Sequence, residues 1–135
     1  MSIELATEQD LEGIMQANKG LKSIEHKIHN PETVKLLISN EQFYVAKGDE
    51  VYGALSLGEK DEFLYIYTLS VREEHKHRGV GTSLVEFAIS LAREGEYPGV
   101  KVSSHHSFHA KEFYLKHGFE IEKDYGDGYL FTMQF

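Results

Sequence analysis

Two short stretches of this chain hold residue types and spacings suited to chemistry. The first is Lys76-His77-Arg78-Gly79-Val80-Gly81-Thr82, where basic side chains run into two spaced glycines. A run rich in β-branched and aromatic residues precedes it and a helical pattern follows, so the segment reads as the bend from a strand into a helix. Free amides at a helix start, together with the positive end of the helix dipole, make an anion site there. Glycine at 79 and 81 removes side chains that would hold a phosphate off the backbone. Lys76 and Arg78 add positive potential, with His75 and His77 beside them. Two better-known phosphate loops do not fit. A Walker loop needs Gly-Lys followed by Ser or Thr after its spacer. A dinucleotide fingerprint needs a third glycine at the position of Leu84 and follows the first strand of its domain.

The second stretch runs from Ser107 to Phe119 and contains Tyr114 ahead of Gly118-Phe119. A phenol has an ordinary pKa of about 10 and so carries its proton at neutral pH. Taken alone, Tyr114 reads more readily as a half-buried helix residue than as a catalyst. His75-x-His77 and His105-His106 invite a metal, but neither pair comes with a helical His-x-x-x-His or an evident carboxylate as third ligand, so no metal is expected. Phe63, Tyr65 and Tyr67 alternate as a base-stacking platform would. The charge balance argues against that use.

The elements that must hold these residues follow from periodicity. Ile3 and Leu5 mark a first strand. Thr7 caps a helix through Asn18 with Leu11, Ile14 and Met15 on one face. Residues 18–30 show no clear period and read as a loop. Asn30-Pro31 starts a second helix, with Val34, Leu37 and Ile38 as its apolar face. A meander of strands comes next: Gln42 to Lys47, Val51 to Leu57 and Phe63 to Val71, with turns at Gly48-Asp49 and Gly58 to Asp61. Val80, Leu84, Ala88 and Leu91 then define a helix ending near Gly95. Gly99 to Ser104 is a strand, and Phe108 to His117 a helix stopped by Gly118. Phe119 to Ile121 and Tyr129 to Phe135 close a hairpin through Gly126-Asp127-Gly128. The predicted order is β-α-α-β-β-β-α-β-α-β-β over residues 1–135, without a linker, and so a single domain.

Composition bounds the function. The 135 residues carry 14 Lys+Arg against 22 Asp+Glu, a formal charge of −8. Sequence-independent nucleic-acid binding relies on neutralising phosphates, so no nucleic-acid partner is expected. An acidic surface suits a cationic partner such as an amine. With no cysteine, disulfides, thiolate metal sites and a cysteine nucleophile are excluded. The first residues show no basic segment followed by an apolar run, and no apolar run approaches the ~18 residues of a membrane span. A cytoplasmic address and no membrane partner are therefore the expectation.

Taken together, the two stretches resemble the GNAT family, the Gcn5-related N-acetyltransferases. The family motif Gln/Arg-x-x-Gly-x-Gly/Ala is matched by Lys76-His77-Arg78-Gly79-Val80-Gly81, with lysine in first place. Its later pattern, Asn-x-x-Ala-x-x-x-Tyr-x-x-x-Gly-Phe, is matched from Ser107 through Ala110 and Tyr114 to Gly118-Phe119, with serine for asparagine. The resemblance covers essentially the whole chain. It implies an α/β (α+β) fold with a mixed, mostly antiparallel sheet of about seven strands and helices on both faces. It implies acetyl-CoA as cosubstrate and transfer of its acetyl group to a primary amine of a small molecule or protein. Leu69, Ser70 and Val71 are then expected to lend backbone groups to the acetyl and pantetheine arm. The amides from His77 through Arg78, Gly79, Val80 and Gly81 to Thr82 are expected to cradle the pyrophosphate, with Lys76 adding charge. Ser107 is expected to touch pantetheine, and Tyr114 to protonate the leaving thiolate. The base is left open among Tyr65, Tyr67, Asp61, Glu62, His105 and water, as are the acceptor and the length of the acyl donor. A homodimer is common in the family. A rival expectation is a non-catalytic acyl-CoA-binding module that regulates a partner.

Overall fold

Capping chemistry sets where the helices begin. In the computed structural model, which describes residues 1–21, 26–106 and 109–135, Pro31 opens a helix whose first free amide, that of Glu32, donates to the Asn30 side chain at 2.9 Å. At the first helix the cap differs from expectation. Thr7 does not cap it directly; Glu8–Asp10 forms a single 3-10 turn, and the Asp10 carboxylate accepts from the Thr7 amide at 2.9 Å. Lys47 then pairs with that buried carboxylate at 3.0 Å.

The elements are β1 (Ser2–Leu5), α1 (Leu11–Asn18), α2 (Pro31–Ser39), β2 (Phe43–Lys47), β3 (Val51–Lys60), β4 (Phe63–Val71), α3 (Val80–Glu94), β5 (Gly99–His105), α4 (Lys111–Lys116), β6 (Glu120–Asp124) and β7 (Gly128–Gln134). Their order matches the predicted one. The strands form a seven-stranded sheet in the order β1-β2-β3-β4-β5-β7-β6. Antiparallel ladders join β1 to β2, β2 to β3, β5 to β7 and β6 to β7, and a parallel ladder joins β4 to β5. This is the mixed, mostly antiparallel α/β architecture expected. Within the stretch taken for a loop, His26–His29 forms a 3-10 turn. No helix among the described residues is long and apolar enough to cross a membrane.

Contacts divide the chain into two compact units. The first comprises Met1–Leu57 and Thr68–Phe87. Its core joins Ile14 of α1 and Val34 of α2 to Phe43, Val45 and Ala54 of the sheet, all fully buried. Burying a side chain the size of Ile14, Val34, Phe43 or Val45 contributes ~1.5–3 kcal/mol. Gly53 lets the start of α3 settle close to β3. A Cβ there would meet the Ser70 carbonyl oxygen at 2.6 Å and Val80 at 3.0 Å. The absence of one methyl thus sets the height of the helix that follows the glycine loop.

The second unit comprises Gly58–Tyr67 and Ala88–Phe135. Its hairpin turn is not Gly58 to Asp61 as expected. β3 continues to Lys60, and Asp61 and Glu62 turn the chain with φ of +53° and +73°. Paired left-handed residues match the right-handed twist of the flanking strands. Gly58 stays in the strand for another reason: a Cβ would come within 2.1 Å of the Tyr67 ring. α4 is shorter than predicted, beginning at Lys111, and the expected helix start at Phe108 lies outside the described residues. Gly118 ends α4 with φ +94°, as expected. Phe119 is buried behind α4 rather than opening a strand, and β6 runs to Asp124. The β6–β7 register shifts between Ile121 and Lys123. The intervening Glu122 accepts from Thr132 at 2.5 Å and pairs with Lys101 at 3.1 Å.

Candidate active site

In the first unit, the end of β4 is held before the glycine loop begins. The Arg72 amide donates to the Tyr52 carbonyl at 2.8 Å, and its guanidinium pairs with Glu50 at 3.2 Å and Glu74 at 2.7 Å. His75 rests against the Tyr52 ring at 4.2 Å and bonds Glu50 at 2.9 Å. Glu50, Glu74 and His75 bring possible metal ligands within 4.8 Å of one another, but Arg72 already neutralises both carboxylates.

The chain then curls. His77 and Gly79 are left-handed, with φ of +64° and +81°, on either side of Arg78. Such turn conformations bring successive amides to one concave side, an arrangement that holds anions. A Cβ on Gly79 would meet nothing within 4 Å. Glycine is therefore required there for its backbone angle, and the space beside it is open to a ligand. Lys76, His77, Arg78 and Gly79 are all exposed. α3 follows at once, its first turn closed by the Ser83 amide donating to the Gly79 carbonyl at 3.0 Å. That turn carries no acidic residue, so the positive helix end is not neutralised from within its own sequence. Buried Val80 and Leu84 fix the helix from below, while Gly81 and Thr82 remain half-exposed. An exposed, amide-rich curl with open space and no acid suits a phosphate group.

The two cations of the loop differ. Lys76 pairs with Glu73 at 3.0 Å and lies 3.8 Å from a Cβ placed on Gly20, after α1. Arg78 has no acidic partner among the described residues. Sequence reasoning did not distinguish them, because Glu73 comes within reach only through the 3-10 turn Glu73–His75.

On β4, Leu69 and Val71 are half-buried while Ser70 points inward. Its hydroxyl donates to the Asn18 side-chain oxygen at 2.9 Å, and the Asn18 amide donates to the Ile28 carbonyl at 3.0 Å. Asn18 is fully buried. Sequence reasoning had no role for it, although its position after Leu11, Ile14 and Met15 puts a polar residue on the apolar face of α1. That mismatch was the available signal.

In the second unit, Tyr114 is 6% exposed among Phe113, Phe119 and Phe131, whose ring centroids lie 5.1, 5.6 and 5.1 Å away. Its hydroxyl makes no hydrogen bond among the described residues. Burial pushes the phenol well above its ordinary pKa, and the neighbouring Tyr65 adds to the effect. The group stays protonated at neutral pH.

Of the base candidates, Tyr65 and Tyr67 meet edge to face at 5.0 Å, and Tyr67 is 50% exposed. Asp61 lies 3.7 Å from the Lys101 ammonium, and Glu62 is exposed in the turn. His105, at the end of β5, lines a cavity of about 290 Å³ with Lys111, Tyr129 and Phe131. The expected pantetheine contact Ser107 lies outside the described residues.

The glycine curl and Tyr114 are the two features that carry the sequence resemblance, and comparison with known proteins identifies the family. The family model described as an acetyltransferase (GNAT) domain matches residues 39–121. The chain belongs to the GNAT acetyltransferases. No curated protein matches it by sequence. Among solved structures it is similar to the PaiA N-acetyltransferase of Thermoplasma acidophilum in complex with coenzyme A, with 20% identity over 100% of both chains and a TM-score of 0.83. It is similar to Ard1 from Thermoplasma volcanium, with 21% identity over 98% of this chain and 96% of that one and a TM-score of 0.84. A putative streptothricin acetyltransferase from Bacillus anthracis, in complex with acetyl coenzyme A, shares 24% identity over 69% of this chain and 61% of that one, with a TM-score of 0.63. At these identities the likeness is one of fold.

Proposed function

We propose that the chain transfers the acetyl group of acetyl-CoA to a primary amine of a small molecule or protein, by direct attack in a ternary complex. The observation that carries this reading is the curl at His77–Gly79, open at Gly79 and followed by an acid-free helix start. The amides of His77 through Thr82 would hold the pyrophosphate, with Arg78, which has no acidic partner among the described residues, adding charge. Backbone groups of Leu69 to Val71 would hold the pantetheine arm; the parallel ladder between β4 and β5 uses Leu64 to Ile66 and leaves the later part of β4 outside it. Bound, acetyl-CoA supplies an activated thioester.

The side chains have correspondingly little left to do. Backbone donors placed where negative charge develops act strongly in a site shielded from water. Tyr114 gives its proton to the departing sulfur, and its buried phenol is kept neutral for that step. The amine must arrive uncharged. The carboxylates named in the turn lie at its exposed end, which favours proton removal relayed through water. The acidic surface, at −8, draws a cationic acceptor.

Coenzyme A release measured over a panel of amines tests the reading. Turnover with at least one polyamine, amino acid, aminoglycoside or peptide amine is the expected result. Tight coenzyme A binding without turnover on any of them would favour the non-catalytic acyl-CoA module instead.

A further inference from the structure

Ser70 sits in the strand segment proposed to hold the pantetheine arm, yet its side chain points the other way. The hydroxyl is held inside the first unit by Asn18, which lies 52 positions earlier. Asn18 is fully buried and its amide is spent at both ends, on the Ser70 hydroxyl and on the Ile28 carbonyl. The Ser70 backbone is confined on a second side too, because Gly53 of β3 lets the Ser70 carbonyl approach where a Cβ would stand 2.6 Å away. Two residues further, the Arg72 amide donates to the Tyr52 carbonyl. The interior therefore dictates the orientation of β4 between Leu69 and Val71, and the only polar side chain doing so from α1 is Asn18 among the described residues.

We infer that Asn18 is a positioning residue for the cofactor strand. It joins the end of α1 and the His26–His29 turn to Ser70 and so orients the backbone of β4 from Leu69 to Val71. A leucine at 18 would satisfy the packing of an apolar helix face better than asparagine. The polar residue makes sense because it specifies one strand position rather than adding burial; fully satisfied buried polar pairs fix a unique arrangement. The inference rests on the proposed use of β4 for acetyl-CoA.

The test uses Ser70→Ala and Asn18→Leu, singly and together, with Ile38→Val as a control. Ile38 belongs to the core of the same unit and makes no bond to β4. Two quantities are read: hydrogen exchange at the amides of Leu69 to Val71 in the ligand-free protein, and the coenzyme A dissociation constant. Both single variants should speed exchange at these amides and weaken coenzyme A binding by about tenfold, the loss expected for one oriented hydrogen bond. The double variant should be no worse than the worse single one, since both remove the same link. Ile38→Val should lower the melting temperature without moving either readout. Ser70→Ala is the milder change and keeps the test available if Asn18→Leu folds poorly. Unchanged exchange in Ser70→Ala overturns the inference whatever the ligand does. Faster exchange with unchanged coenzyme A affinity overturns the link to cofactor while leaving the proposed function standing. A parent protein that binds no coenzyme A overturns the proposed function first, and this inference with it.

Discussion

Tyr114→Phe separates the packing role of this residue from its chemical one. The ring contacts with Phe113, Phe119 and Phe131 survive the change, because only the oxygen is removed. That oxygen has no hydrogen-bond partner among the described residues, so none of them is left orphaned and stability should shift by less than ~0.5 kcal/mol. By contrast, Tyr114→Ala would open a cavity at a cost of ~3–5 kcal/mol, on the scale of large aromatic truncations, and would confound the experiment. The rate effect depends on how much a proton is worth to the leaving sulfur. General acids contribute ~10²- to 10⁴-fold. A thiol has a pKa of about 8.5, well below that of a phenol that burial has pushed up, so full transfer is uphill and the lower end applies. A hundredfold loss in kcat corresponds to about 2.7 kcal/mol of barrier. Cofactor affinity should change by less than about threefold, under ~1 kcal/mol. The assay is steady-state coenzyme A release at saturating acceptor, with the dissociation constant for coenzyme A taken on the same preparation. A kcat near that of the parent would refute the acid role and leave Tyr114 as packing. A large loss of coenzyme A binding would mean that the hydroxyl grips the cofactor instead.

Other outcomes follow from the same geometry. Arg78→Ala should weaken coenzyme A binding several-fold more than Lys76→Ala, because Lys76 is engaged with Glu73; the difference should shrink as salt rises, and titrations at two ionic strengths read it. Gly79→Ala should meet no steric obstacle but force a left-handed angle on alanine, lowering stability by ~1–2 kcal/mol in chemical denaturation and loosening coenzyme A binding in parallel. The raised pKa of Tyr114 also has a sign in stability: the folded state keeps a proton that the unfolded state releases above its ordinary pKa of about 10. Stability from this group is fully present below that pH and falls as pH rises through it, and Tyr114→Phe should flatten the alkaline decline in melting temperature.

Most of the element order was legible because each element is short and carries its own period. The glycine loop could be placed from neighbouring residues alone, since β-branched residues before it and helical spacing after it leave only a bend between. The hairpin tip was misplaced because glycine is the usual marker of a turn. Gly58 is present to make room for Tyr67, and the left-handed turn positions fell to Asp61 and Glu62. The last hairpin was misjudged in a similar way, for Phe119 reads as a strand residue but packs behind Tyr114.

By itself the sequence determined the parts of the chemistry that are local. A left-handed glycine ahead of a helix, and a tyrosine one turn before the glycine that ends another, depend on neighbours within a few residues, and spacing is enough to see them. What only the tertiary structure decided is how those groups behave. The acidity of Tyr114 is set by the medium around it, and Phe119 and Phe131 reach it from beyond its own helix. Which cation of the loop is paired with an acid was decided by the turn that brings Glu73 to Lys76. The orientation of β4 was decided by an asparagine 52 residues away. Burial and pairing are properties of space rather than of order along the chain, so a motif can mark a glycine loop and a tyrosine while leaving their surroundings to the fold.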